Sequence, residues 1–74
     1  MKIEIYSTPT CPYCVQAKEY FRSKKLEFVN YDVSLDQAKA EEMVKLSGQM
    51  GVPVIKIDDK IMVGFDQAEI EKII

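Results

Sequence analysis

Seventy-four residues give a chain room for one hydrophobic core and one site, and that restriction governs what it can fold into. A second catalytic module does not fit, so a single domain over residues 1–74 is expected, with short connections and little irregular backbone. No stretch approaches the roughly 18 uninterrupted apolar residues of a membrane span, and Met1 to Ile5 lack the apolar run of a signal peptide. These features point to a cytoplasmic protein with no membrane partner.

Apolar spacing and turn residues divide the chain into short elements. Ile3, Ile5 and Tyr6 form a β-rich run that stops at Ser7-Thr8-Pro9-Thr10, predicting a first strand. A helix begins at the cysteines: Pro12 suits the first helical position, and Val15, Tyr20 and Phe21 supply apolar positions before Ser23-Lys24-Lys25. Residues 26–33 read as a second strand. Ser34, with Gln37 three residues on, has the form of a capping box for a helix over residues 35–47. Ala38, Met43, Val44 and Leu46 fit its buried face, and Gly48 ends it. Residues 53–57 and 60–63 flank Asp58-Asp59 and read as a hairpin. Gly64 breaks the strand, Asp66 offers an N-cap, and Ala68, Ile70, Ile73 and Ile74 make one side of a last helix apolar. The order is β-α-β-α-β-β-α, an α/β chain. A strand, crossover helix and strand pair in parallel and a hairpin pairs antiparallel, so a mixed four-stranded sheet is predicted.

Cys11 and Cys14 are the chain's two cysteines, and it has no histidine. In a reducing compartment such thiols seldom form a structural staple, and closing so short a loop would stabilise the fold by only about 2 kcal/mol. Reversible thiol chemistry is the better reading, against half a metal site or a chance pair in an inert structural domain. Two cysteines and no histidine cannot close a four-ligand zinc site within one chain. A metal could be held only between chains.

Net charge is −2, which gives no reason to expect nucleic acid as a partner. Its distribution is uneven. Residues 1–25 carry five Lys or Arg against two Asp or Glu, and residues 26–74 carry five against ten, so the cysteines lie in the basic part. That favours a thiolate and acidic partners, unless Lys18, Arg22, Lys24 and Lys25 only solvate a helix.

The runs Tyr6-Ser7-Thr8-Pro9-Thr10-Cys11-Pro12-Tyr13-Cys14, Gly51-Val52-Pro53-Val54 and Val63-Gly64-Phe65-Asp66 resemble the glutaredoxin family in order and spacing, over essentially the whole chain. The Cys-Pro-Tyr-Cys form is that of dithiol glutaredoxins. The short length and the late Gly-Phe also resemble the small redoxins that serve ribonucleotide reductase. The resemblance implies a thioredoxin fold and a monomeric thiol-disulfide oxidoreductase that binds no cofactor, with glutathione as a candidate co-substrate. Its partners would be a disulfide-bearing protein such as ribonucleotide reductase and either a flavoprotein disulfide reductase or glutathione.

Disulfide exchange needs a thiolate, an unhindered sulfur and a second thiol to resolve the mixed disulfide. Cys11, at the start of a helix, faces unpaired N–H groups that favour its thiolate, and it is the expected nucleophile. The amides of Tyr13 and Cys14 are the expected donors to its sulfur, since Pro12 has none. Cys14, one turn in, is the expected resolving thiol. Pro53 taken alone would read as the start of an edge strand. The resemblance instead makes it a cis proline facing the nucleophile, with the Val52 backbone free to pair with substrate. Thr8, Pro12, Tyr13, Gly64 and Asp66 join Val52 and Pro53 as substrate-binding positions. Phe65 either lines that groove or packs under the last helix. The methionines read as core or gap-filling side chains.

Some glutaredoxins hold an iron-sulfur cluster between two chains, typically through a single-cysteine site, and Pro12 disfavours that use here. The donor is a separate question. A basic residue often stands in the family three before the first cysteine, where this chain has Thr8, and Arg often stands three before the proline, where it has Met50. The family's Gly-Gly pair before the last helix is Val63-Gly64. With two charge contacts to glutathione missing, a thioredoxin-reductase-type flavoprotein is the expected reductant.

Overall fold

The computed structural model describes residues 2–74, so Met1 of the opening stretch lies outside it. Its elements are β1 (Ile3–Ser7), α1 (Pro12–Ser23), β2 (Val29–Asp32), α2 (Gln37–Ser47), β3 (Val54–Ile57), β4 (Lys60–Val63) and α3 (Gln67–Ile73). The expected element order is present, and the strands form one mixed sheet in the order β2-β1-β3-β4. β1 runs parallel to β2, with Glu4 opposite Val29 and Ser7 opposite Asp32. It runs antiparallel to β3, which pairs antiparallel with β4.

β1 is central and covered on both faces, so all five of its residues are buried. The pleat still sorts them. Ile3 and Ile5 join Ile55 and Ile57 in a cluster with Ala17, Tyr20 and Phe21 of α1 and Ile70 of α3. Tyr6 joins Val54 and Met43 of α2 on the other face. Polar groups on that second face are paired: Tyr6 Oη donates to Glu42 at 2.7 Å, and Tyr31 Oη donates to the buried Glu4 at 2.9 Å. The Tyr6 hydroxyl, then the Lys39 ammonium, hold the Glu42 carboxyl below its usual range.

Four local expectations are corrected. The second strand covers only Val29–Asp32, because these are the residues that lie opposite Glu4 to Ser7; Leu26 and Phe28 instead pack against the α1 cluster, and the Leu26 N–H still closes the end of α1 on the Phe21 carbonyl at 3.0 Å. Asp36, not Ser34, caps α2, accepting from the Lys39 N–H at 3.1 Å. The Ser34 hydroxyl and N–H are both given to Asp32, which leaves Ser34 outside the helix. Val15, Ala38 and Ala68 face solvent, and the buried positions of α1 are Cys14, Ala17, Tyr20 and Phe21. Pro53 precedes β3 and does not belong to it. Gly48 ends α2 as expected, at φ 76°, with its N–H on the Val44 carbonyl at 2.8 Å.

Candidate active site

Where β1 ends, the chain turns tightly enough for the Cys11 N–H to donate to the Thr8 carbonyl at 3.3 Å. Pro12 then opens α1, which makes Cys11 its N-cap, in extended backbone conformation. Its sulfur takes the acceptor role that a Ser or Asp oxygen has at such positions, receiving the Cys14 N–H at 3.2 Å. Among the described residues this is the one backbone donor to the sulfur. The Tyr13 amide, expected as a second, makes no such bond.

The loop before β3 closes on the same point. The Cys11 thiol reaches the Val52 carbonyl at 3.9 Å, and the Val52-Pro53 peptide is cis. The Pro53 carbonyl accepts from the Gly64 N–H at 2.8 Å, which ties the end of β4 to this loop. Gly64 adopts φ 82°, where a side chain would be strained. Sheet register puts Val63 opposite Val54, directly after the proline.

Cys11 is half-buried and Cys14 fully buried, and both are free thiols. Burial, then the adjacent Cys11 sulfur, pushes the Cys14 thiol up from 9.0 to about 11, while a backbone hydrogen bond from Thr8 and the charge of Lys18 act the other way. A thiol raised in this way contributes stability that is present below its unfolded value and lost as pH rises through its folded value. Thermal unfolding of the reduced protein should therefore show a loss of stability between about pH 9 and pH 11, smaller in Cys14→Ala. Equal losses in the two proteins would remove Cys14 as the cause.

The structure brings the Val52 carbonyl to the Cys11 sulfur and the Thr8 carbonyl to the Cys11 N–H, joins Gly64 to Pro53 of the same loop, and places Pro12 and Tyr13 directly after Cys11 in the first turn of α1. Tyr13 is 61% exposed and Met50, two residues before Val52, 81% exposed. Phe65 takes the packing alternative, half-buried in the α1 cluster with its ring centroid 5.7 Å from that of Tyr20. The Asp66 carboxylate caps α3, accepting from the Glu69 N–H at 3.3 Å. Of the four basic residues that either favour a thiolate or only solvate the helix, Lys18 is half-buried one turn beyond Cys14 and acts on its thiol. Among the described residues, no three of His, Cys, Asp and Glu cluster as metal ligands, and no helix is long and apolar enough to cross a membrane.

The arrangement presents one accessible sulfur at a helix start with a second thiol behind it, the pair that dithiol exchange uses, and a backbone carbonyl beside them. Comparison with known proteins agrees. The glutaredoxin family model matches residues 3–62. The chain is 57% identical over 72 residues to an uncharacterized glutaredoxin-like 8.6 kDa protein in the rubredoxin operon of Clostridium pasteurianum, covering 97% of this chain and 96% of that one. It is 44% identical over 64 residues to Glutaredoxin 3 of Escherichia coli strain K12, covering 86% and 77% of the two chains. Among solved structures, the glutaredoxin-like protein NrdH-redoxin from Escherichia coli superposes with a TM-score of 0.88, at 24% identity and over 100% of this chain and 96% of the other, which establishes the thioredoxin fold. With the family's model spanning most of its length and a relative aligned over nearly all of both chains, this protein belongs to the glutaredoxin family of thiol-disulfide oxidoreductases.

Proposed function

We propose that the protein is a monomeric cytoplasmic electron carrier that reduces disulfides of partner proteins, ribonucleotide reductase being one candidate, and is itself reduced by a flavoprotein disulfide reductase. The observation that carries the reading is the pairing of a half-buried Cys11, whose sulfur receives the Cys14 N–H at 3.2 Å, with a fully buried Cys14 one turn behind it. The Cys11 thiolate attacks one sulfur of the partner's disulfide and expels the other as a thiolate, leaving a mixed disulfide. Cys14 then attacks Cys11 Sγ and releases the partner's second thiolate. The product is a Cys11-Cys14 disulfide, which two electrons from the reductase return to two thiols. Val52 and Pro53 hold an extended partner segment beside the sulfur, and the exposed Tyr13 ring gives it a flat contact. No resident cofactor enters these steps.

The surroundings of the sulfur favour a protein over glutathione. Glutathione brings two carboxylates, and Thr8, Met50 and Val63 stand where the family often has charge or open backbone to receive them. A lost charge-assisted hydrogen bond costs about 1.5 to 3 kcal/mol, so two such losses weaken binding by about a hundredfold or more. The exposed Tyr13 ring, two residues after Cys11, offers an apolar contact that suits a protein surface. The test is to follow turnover of a protein disulfide with NADPH and thioredoxin reductase, and in parallel with NADPH, glutathione reductase and glutathione at cellular concentration. The flavoprotein system should be about tenfold faster or more. Faster turnover on glutathione overturns the assignment of the donor.

A further inference from the structure

The resolving step poses a problem that the two cysteines do not solve. Cys14 has to become a thiolate before it attacks, yet it is fully buried, in surroundings that disfavour charge. Lys18 is placed to relieve this. Both residues lie in α1, four apart, so they share a helix face with a rise of about 6 Å between them. The Cys11 sulfur lies beside that of Cys14, but it is half exposed to solvent, which screens charge, and it already receives the Cys14 N–H, whereas the Cys14 sulfur is fully buried. Lys18 is half-buried and, among the described residues, belongs to no ion pair.

Other elements packed around Cys14 bring little competing charge. β1 and β3 turn Glu4, Tyr6 and Lys56 to the α2 face of the sheet, where Tyr31 donates to Glu4, Tyr6 to Glu42, and Lys56 approaches Glu4. On the α1 face, α3 brings Glu71 to the Tyr20 hydroxyl at 3.4 Å, pairs Glu69 with Lys72 at 3.2 Å, and keeps Asp66 as its own cap. On α1 itself, Glu19 and Tyr13 are exposed. Cys11 and Lys18 are left as the titratable groups that act on the sulfur; the Thr8 backbone hydrogen bond and, after it, the Lys18 charge lower the Cys14 value.

We propose that Lys18 is a positioning residue for the second half of the reaction, its ammonium stabilising the Cys14 thiolate and so speeding resolution of the mixed disulfide without aiding the first attack. This rests on the dithiol reading above. In the step concerned, Cys14 gives its proton to solvent and its thiolate attacks Cys11 Sγ. A Cys11-Cys14 bond forms, the bond from Cys11 to the partner sulfur breaks, and the partner leaves as a thiolate that solvent protonates. No external oxidant or reductant is needed.

Single-turnover mixing of the reduced protein with an excess of a peptide disulfide, quenched in acid and read by mass, separates formation of the mixed disulfide from its resolution. In Lys18→Gln, formation should stay within about twofold of wild type while resolution at pH 7 slows by roughly threefold to tenfold. The pH of half-maximal resolution should rise, and Lys18→Arg should restore both. An unchanged resolution rate and pH profile in Lys18→Gln overturns the proposal, as does a fall in formation equal to the fall in resolution. A Cys14→Ser protein that forms no mixed disulfide with the peptide overturns the dithiol reading first, and this proposal with it.

Discussion

Replacing Cys11 by Ser should abolish disulfide reduction, a fall of more than about 10³-fold, because a hydroxyl at the helix start is not ionised at neutral pH and has no sulfur to form the mixed disulfide. Cys14→Ser should behave differently. It keeps the sulfur that receives the helix-start position and loses only the thiol that resolves, so a lasting mixed disulfide with the substrate should accumulate and be visible by mass. The asymmetry has a direct chemical readout in the wild type. Alkylation of the reduced protein at graded pH should label Cys11 first, since Cys14 is fully buried and its thiol is pushed up to about 11. Faster labelling of Cys14 would reverse the two roles.

The second large effect is on folding. Phe21 is fully buried between the sheet and two other rings, those of Tyr20 at 5.7 Å and Phe28 at 6.1 Å. Truncating it to Ala removes buried apolar surface and leaves a cavity, at a cost of about 3 to 5 kcal/mol. Against the roughly 5 to 10 kcal/mol that holds a small domain together, this leaves the protein marginally folded. Val15 sits on the same helix and is 42% exposed, so Val15→Ala should change stability by about 0.5 kcal/mol or less. Urea unfolding of the two variants checks the pair. Similar midpoints would mean that the two side chains are not on opposite sides of the helix.

That contrast marks where local signals stop being informative. Val15, Tyr20 and Phe21 all read as apolar helix positions in the sequence, and nothing local separates the one that faces water. α1 is rotated by what it has to cover, and burying Cys14, Ala17, Tyr20 and Phe21 against β1 and α3 turns Val15 outward. The cap of α2 shows the same competition at shorter range. Ser34 and Asp36 are both good capping residues, and Asp32 decided between them by engaging Ser34 first.

By itself the sequence determined the element order, the start of α1 at Pro12, the ends marked by Gly48 and Gly64, the cap at Asp66, and the placing of two thiols at a helix start. Each of these follows from dihedral preferences and hydrogen bonds within a few residues, so neighbours in sequence suffice to specify them. Tertiary structure decided the rest: the length of β2, the face of α1 that is buried, the packing of Phe65 on Tyr20, and the approach of Val52 to Cys11 across 41 residues of chain. These depend on which distant surfaces bury one another, and that is settled only when β1, β3 and the helices on either side close around a common core.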